Sequence, residues 1–123
     1  MKATDRQVGG NHYNMPYQPI KFITENNLNF IQGNIVKYVS RYKNKNGLQD
    51  LEKALHYAEL GQELDTHPLS KPVFTDACGI YCSANHISSM GVHLAIYFTM
   101  LKRYSDAANN IKTLIKVNYG KEW

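Results

Sequence analysis

Apolar residues recur at intervals of three and four along three successive stretches of the first half of the chain. The first stretch begins at Pro19, whose missing N–H costs nothing in a first helical turn, and it is interrupted at Asn26-Asn27. The second runs from Asn29, a residue type that suits the N-cap, to about Lys43. The third runs from about Leu48 to Leu64, after the turn Asn44-Lys45-Asn46-Gly47. The pattern predicts three helices, of which the second and third form an antiparallel pair.

The apolar faces of this pair identify the predicted core. They comprise Ile31, Ile35, Tyr38, Val39 and Tyr42 on the second helix, and Leu51, Ala54, Leu55, Ala58 and Gln62 on the third. Gly33 lies inside the second helix, where glycine costs about 1 kcal/mol relative to alanine. We therefore expect Gly33 to let another backbone or a ligand approach closely.

Two prolines in the segment 66–72 give the clearest internal boundary. Beyond it, residues 77–89 fit either a helix or a loop. Ser88-Ser89 is expected to cap a helix that continues through Leu101 and is apolar nearly all round, as in a buried helix or an oligomer interface. Ser105 is expected to cap a last helix that ends at Gly120. The predicted fold is all-α, with an N-terminal loop, the central helix pair of region 1–65, and a C-terminal helical hairpin in region 66–123 packed on the same domain.

The charge balance favours anionic partners. The chain of 123 residues has 14 Lys and Arg against 10 Asp and Glu, a formal charge of +4, and it contains nine tyrosines, which suit half-wet ligand pockets and interfaces. The basic residues are too few for a dedicated nucleic-acid binder, and no groove-reading motif occurs. No signal peptide or membrane span is recognisable, so we expect a cytoplasmic protein without a membrane partner.

Two cysteines raise the question of a metal ion. Cys78 and Cys82 are followed by His86 and His93, but the C-x₃-C spacing differs from the usual C-x₂-C of zinc sites. Reduced, buried thiols are the preferred interpretation, and no metal site is predicted.

Polar residues at helical spacing give the candidate binding site. Asn34, Lys37 and Arg41 form a row on the second helix, with Lys45 beyond its end, and they would present an amide, ammonium groups and a guanidinium to one phosphate. Asp50, Lys53 and Tyr57 form a second row on the third helix, where Asp50 would orient a cation or accept a proton. A solvated basic face, with Asp50 and Lys53 as a surface ion pair worth about 0.5 kcal/mol, is the alternative. His56, beside this row, fits either interpretation.

Three sequence blocks support the interpretation of these rows as a phosphate-binding site. They are Gly9-Gly10-Asn11-His12-Tyr13, Gly33-Asn34-Ile35-Val36-Lys37-Tyr38-Val39-Ser40-Arg41 and Asp50-Leu51-Glu52-Lys53-Ala54. In this order they resemble the bacteriophage nucleotide kinase-like family, over the first half of the chain. The resemblance implies that a nucleotide is surrounded by His12, Tyr13, Asn34, Lys37, Arg41, Asp50 and Lys53. The chain has Asn11 where many relatives have Asp, and it lacks a phosphate-binding loop of the G-x-x-x-x-G-K-[ST] type.

Three functions follow as expectations. The first is a phage nucleoside monophosphate kinase in the host cytoplasm, using ATP and Mg²⁺, with Arg41 and Asp50 as catalytic residues. The second is a non-catalytic nucleotide binder that sequesters a host signalling nucleotide as a counter-defence. The third is an interaction protein whose apolar stretch from Val92 to Leu101 binds a host protein or a second copy in a homo-oligomer.

Overall fold

Helices account for all the regular secondary structure in the part of the chain that the computed structural model describes, residues 2–6 and 15–122. The predicted all-α class is thereby confirmed. The α-helices are α1 (Pro19–Glu25), α2 (Phe30–Arg41), α3 (Leu48–Leu64), α4 (Asp76–Ala84), α5 (Met90–Met100) and α6 (Tyr104–Tyr119), and single 3₁₀ turns occupy Ala3–Asp5 and Tyr42–Asn44. The ambiguous segment 77–89 divides into α4 and a loop. No helix of the described residues combines the length and apolarity needed to cross a membrane.

The helix caps were predicted correctly at α2, α5 and the end of α6. The Asn29 side chain accepts a hydrogen bond from the Gln32 N–H at 2.8 Å, and the Gln32 side chain accepts one from the Asn29 N–H at 2.9 Å. Ser89 accepts from the Val92 N–H, and Gly120 ends α6 with a φ of 67°. The expected cap at Ser105 is wrong, because the N-cap is Arg103 and α6 begins at Tyr104.

The reason for the early start of α6 is a tertiary contact. The Tyr104 ring packs on α3 at Gly61, so closely that a Cβ atom at position 61 would lie 2.6 Å from the ring. Gly61 therefore takes the buried position at this level of α3, and Gln62, predicted on the apolar face, is exposed. Gly33 plays a similar part in α2, where a Cβ would lie 3.1 Å from the Ile23 side chain of α1. Among the described residues, the close neighbour of Gly33 is thus the Ile23 side chain and not another backbone.

Helices α2 and α3 pack against each other in antiparallel fashion. Asn29 at the start of α2 bonds to Asp65 just after α3, and Arg41 at the end of α2 pairs with Asp50 at the start of α3. Helices α3 and α6 are also antiparallel, because Gly61 meets Tyr104 at one end and Glu52 meets Lys121 at the other. Helix α5 packs on α2, α4 and α6.

One hydrophobic core contains side chains from both halves of the chain. Phe22 and Leu51 from the first half, and Ile96 and Ile111 from the second, are all fully buried in it. Each such side chain contributes roughly 1.5–3 kcal/mol relative to an exposed position. The apolar helix α5 buries much of its surface inside this core, so its composition alone does not require a second copy, and the homo-oligomer stays a prediction.

Candidate functional site: a cationic surface on α2 and α3

Three positively charged side chains surround the ring of Tyr38. The Lys37 Nζ lies 4.5 Å from the ring centroid, the Arg41 Cζ 4.7 Å and the Lys53 Nζ 5.3 Å. Lys37 and Arg41 come from α2, and Lys53 reaches the same ring from α3. These distances leave no two of the three charges more than about 10 Å apart, which is comparable to the screening length of about 8–10 Å at 0.15–0.1 M salt. We call Lys37, Tyr38, Arg41 and Lys53 the cationic surface.

Arg41 is held between the Tyr38 ring and a carboxylate. Its Nη2 lies 3.3 Å from the Asp50 Oδ1, and the Arg41 side chain is only 9% exposed. Arg41 is therefore buried and does not belong to a solvated basic face. A guanidinium is weakly hydrated and stacks on aromatic rings, so burial beside Tyr38 and Asp50 costs it less than it would cost a lysine.

Asp50 is fully buried, and both of its carboxylate oxygens are engaged. Oδ1 contacts Arg41, and Oδ2 accepts a hydrogen bond at 3.0 Å from the backbone N–H of Asn46 in the α2–α3 connection. Asp50 thus pairs with Arg41 and not with Lys53, contrary to the surface ion pair that was the alternative. Of the roles expected for this residue, the contacts fit the orientation of a cation, which makes Asp50 a positioning residue.

An aromatic depression adjoins the cationic surface on α3. It is lined by Tyr38, Gln49, Glu52, Lys53, His56, Tyr57 and Leu60. The rings of Tyr38 and Tyr57 are nearly parallel, at 15° and 6.2 Å between centroids. Phe30 meets Tyr57 edge-on at 6.0 Å and is itself 74% exposed. Partly exposed aromatic rings next to cations are able to stack a planar heterocycle.

The remaining predicted site residues are placed less favourably. The Asn34 side chain donates its amide hydrogen to the Phe30 carbonyl of its own helix at 2.8 Å. Lys45 is exposed in the α2–α3 connection. His12 and Tyr13 lie outside the described residues. The structure therefore brings together Lys37, Arg41, Asp50 and Lys53.

Of the aromatic residues at this surface, the sequence pattern placed only Tyr57 in the candidate site. Tyr38 was assigned to the core, and Phe30 was not considered. A signal was present in the sequence, because Tyr38 shares the end of α2 with Lys37 and Arg41, but only the antiparallel register shows that Lys53 and Tyr57 meet it.

The carboxylates near this surface do not fit a magnesium ion. Mg²⁺ binds protein through one or two carboxylates with free oxygens. Asp50 is fully buried and engaged at both oxygens, and Glu52 pairs with the Lys121 ammonium at 2.6 Å. Neither Asp50 nor Glu52 therefore has both of its carboxylate oxygens available to Mg²⁺.

Comparison with known families gives one match. Residues 9–59 match a family described as a protein of unknown function (DUF3310), which is 51 of the 123 residues. The matched segment includes the cationic surface and Asp50, and it ends before α4. No curated protein and no solved structure matches the chain significantly.

Proposed function

We propose that this protein binds a nucleotide through the cationic surface, with the phosphate against Lys37, Arg41 and Lys53 and the base over the aromatic depression. The observation that carries the proposal is the convergence of three cations on the Tyr38 ring. Of the carboxylates near them in the described part of the chain, Asp50 pairs with Arg41 and Glu52 pairs with Lys121, which leaves an excess of positive charge at a concave, partly aromatic surface. Such an excess attracts an anion, because the guanidinium and the two ammonium groups carry three positive charges, and after subtraction of the Asp50 charge they balance the two negative charges of a phosphate dianion.

The resemblance to the bacteriophage nucleotide kinase-like family supports the choice of a nucleotide over other anions. The residues that carry this resemblance include Lys37, Arg41 and Lys53. A deoxynucleoside monophosphate is accordingly the first ligand to test. The burial of Asp50 favours binding without phosphoryl transfer, because a general base has to reach the proton that it removes.

Isothermal titration calorimetry of the purified chain tests this proposal. The panel contains the deoxynucleoside and ribonucleoside monophosphates, the triphosphates, and inorganic phosphate as a ligand without a base. We expect one site, tighter binding of at least one nucleotide than of phosphate, and an affinity that falls as ionic strength rises.

Paired lysine variants locate the site. We expect K37Q/K53Q to weaken binding by at least about 100-fold, because each lost charged contact costs about 1.5 kcal/mol or more. The control K71Q/K112Q makes the same change in net charge on the connection before α4 and on α6. Equal affinities for both double variants, or no binding of any nucleotide, would contradict the proposal.

A transfer assay with ATP, Mg²⁺ and labelled monophosphates separates binding from catalysis. We expect no product above the rate without protein. Turnover above that rate would replace the binding function by kinase activity.

A further inference from the structure

Three metal-ligating groups meet in the C-terminal half, outside the cationic surface. Cys78 and Cys82 lie on α4, and His93 reaches them from α5. The two Sγ atoms and an imidazole nitrogen all lie within 4.8 Å of one another. Both cysteines are free, and both are buried.

The spacing on α4 fits metal coordination better than a disulfide. Residues four apart on a helix have Cβ atoms about 5–6 Å apart, whereas a disulfide needs a Cβ–Cβ distance of about 3.5–4.5 Å. Cys78 and Cys82 would therefore have to unwind α4 to join. Two thiolates on one tetrahedral zinc ion lie about 3.8 Å apart, since each Zn–S bond is about 2.3 Å. Movements of roughly 1 Å bring the three groups to that geometry.

His93 supplies a third metal ligand to the two cysteines of the C-x₃-C segment. Its ring lies against α4 between the cysteines, with Cε1 at 3.7 Å from where a Cβ of Gly79 would be. His93 is only half-buried, and it lines a depression together with Asp76, Ser83 and Tyr97 among others. This depression offers an entry path for the ion and room for a fourth ligand such as water.

We propose that Cys78, Cys82 and His93 bind a thiophilic divalent metal ion, Zn²⁺ by its chemistry, with three protein ligands and the fourth position open to the depression. Two thiolates balance the charge of the ion, which suits a site whose sulfur atoms are buried. Both thiols lose their protons on binding, and the protons pass to the buffer. The proposed metal site lies outside residues 9–59, the segment that matches the family of unknown function. The proposal does not depend on the proposed nucleotide binding.

Cobalt substitution tests this proposal on the full, tag-free and reduced chain. We expect Co²⁺ to bind one per chain, with near-ultraviolet thiolate-to-cobalt absorption and the visible bands of tetrahedral cobalt. Stoichiometric Zn²⁺ should abolish both. Absence of thiolate-to-cobalt absorption in the wild-type chain would overturn the proposal.

Ligand variants assign the absorption to these residues. C82S and H93N should each weaken metal binding by more than about tenfold, since even residues that only hydrogen-bond to a metal ligand are worth about 10–100-fold. The matched control is H86N, because His86 is exposed in the α4–α5 loop and its φ of 56° is one that asparagine tolerates. Equal cobalt spectra for H93N and H86N would contradict the assignment of His93.

Discussion

Helix α3 has a carboxylate at each end, and the two differ in how their charge is balanced. At the C-terminal end, Asp65 accepts hydrogen bonds from Asn29, Lys102 and the Tyr104 hydroxyl. These partners join α2, the α5–α6 connection and α6. One ammonium group faces one carboxylate there, so the two charges balance each other. The contacts of Asp65 indicate a structural junction between helices.

At the N-terminal end, Asp50 also ties two helices together, but the charges do not cancel. Asp50 pairs with Arg41, and the same Tyr38 ring carries Lys37 and Lys53 as further cations. Excess charge at a shallow aromatic surface gives no stability to the fold, because like charges repel. A surplus of one charge, and not the burial of a polar group, therefore distinguishes the candidate site from the junction at Asp65.

The largest expected effect is loss of stability at the Asp50 end. D50A leaves the Arg41 guanidinium buried without its carboxylate, and breaking a buried pair in this way costs about 3–5 kcal/mol. Urea denaturation measures the change. The control E59A removes an exposed carboxylate from the same helix and should stay within about 0.5 kcal/mol of wild type. Equal effects of the two substitutions would show that the pair does not hold this end together.

At the Asp65 end, D65N keeps the shape and removes the charge. D65N should lower the free energy of unfolding by about 1.5–3 kcal/mol, because the hydrogen bonds to the charged carboxylate are lost. The amide group of the asparagine would also place N–H donors against the donors that face Asp65. The same variant should bind nucleotide with wild-type affinity, which calorimetry checks. A loss of affinity without unfolding would mean that the two ends are not independent.

A smaller effect is expected where Tyr104 packs beside this junction. G61A places a methyl group 2.6 Å from atoms of the Tyr104 ring. Such overpacking lowers the free energy of unfolding by about 1–3 kcal/mol. G79A on α4 is the matched control, since its Cβ meets the His93 ring at an ordinary contact distance. The alanine there should stabilise the helix by up to about 1 kcal/mol. Thermal unfolding without added metal should give opposite signs for the two variants.

The smallest effect is a pH dependence confined to Asp65. Burial raises the pKa of this carboxyl, but hydrogen bonds from Tyr104, Asn29 and Lys102 outweigh burial and lower the pKa below its ordinary 3.8. A lowered folded-state pKa gives stability that is present above the unfolded-state value and is lost as pH falls through the folded-state value. The stability difference between wild type and D65N should therefore shrink below about pH 4 in acid denaturation. A difference that stays constant down to pH 2 would exclude this origin.

Local signals were sufficient to predict the helices of the first half. Pro19, the Asn29 cap and the turn ending at Gly47 set the starts of α1, α2 and α3 as expected. The start of α6 could not be predicted in this way, because it depends on Tyr104 meeting Gly61 across the fold.

The candidate site was predictable only in part. Spacing put Lys37 and Arg41 on one helix, but the burial of Arg41 depends on Asp50, which is nine residues away across a turn. The role of Tyr38 depends on Lys53 reaching it from another helix. For the same reason, the pairing of Cys78 and Cys82 with His93 required the packing of α4 on α5.

Two-dimensional ¹H–¹⁵N NMR during titration with a deoxynucleoside monophosphate tests the central contrast most directly. The charge surplus predicts that amide shifts concentrate at Lys37–Arg41 on α2 and Lys53–Tyr57 on α3, while the amides around Asp65 do not move. Shifts centred on Asp65, or a spectrum that no nucleotide changes, would contradict the account.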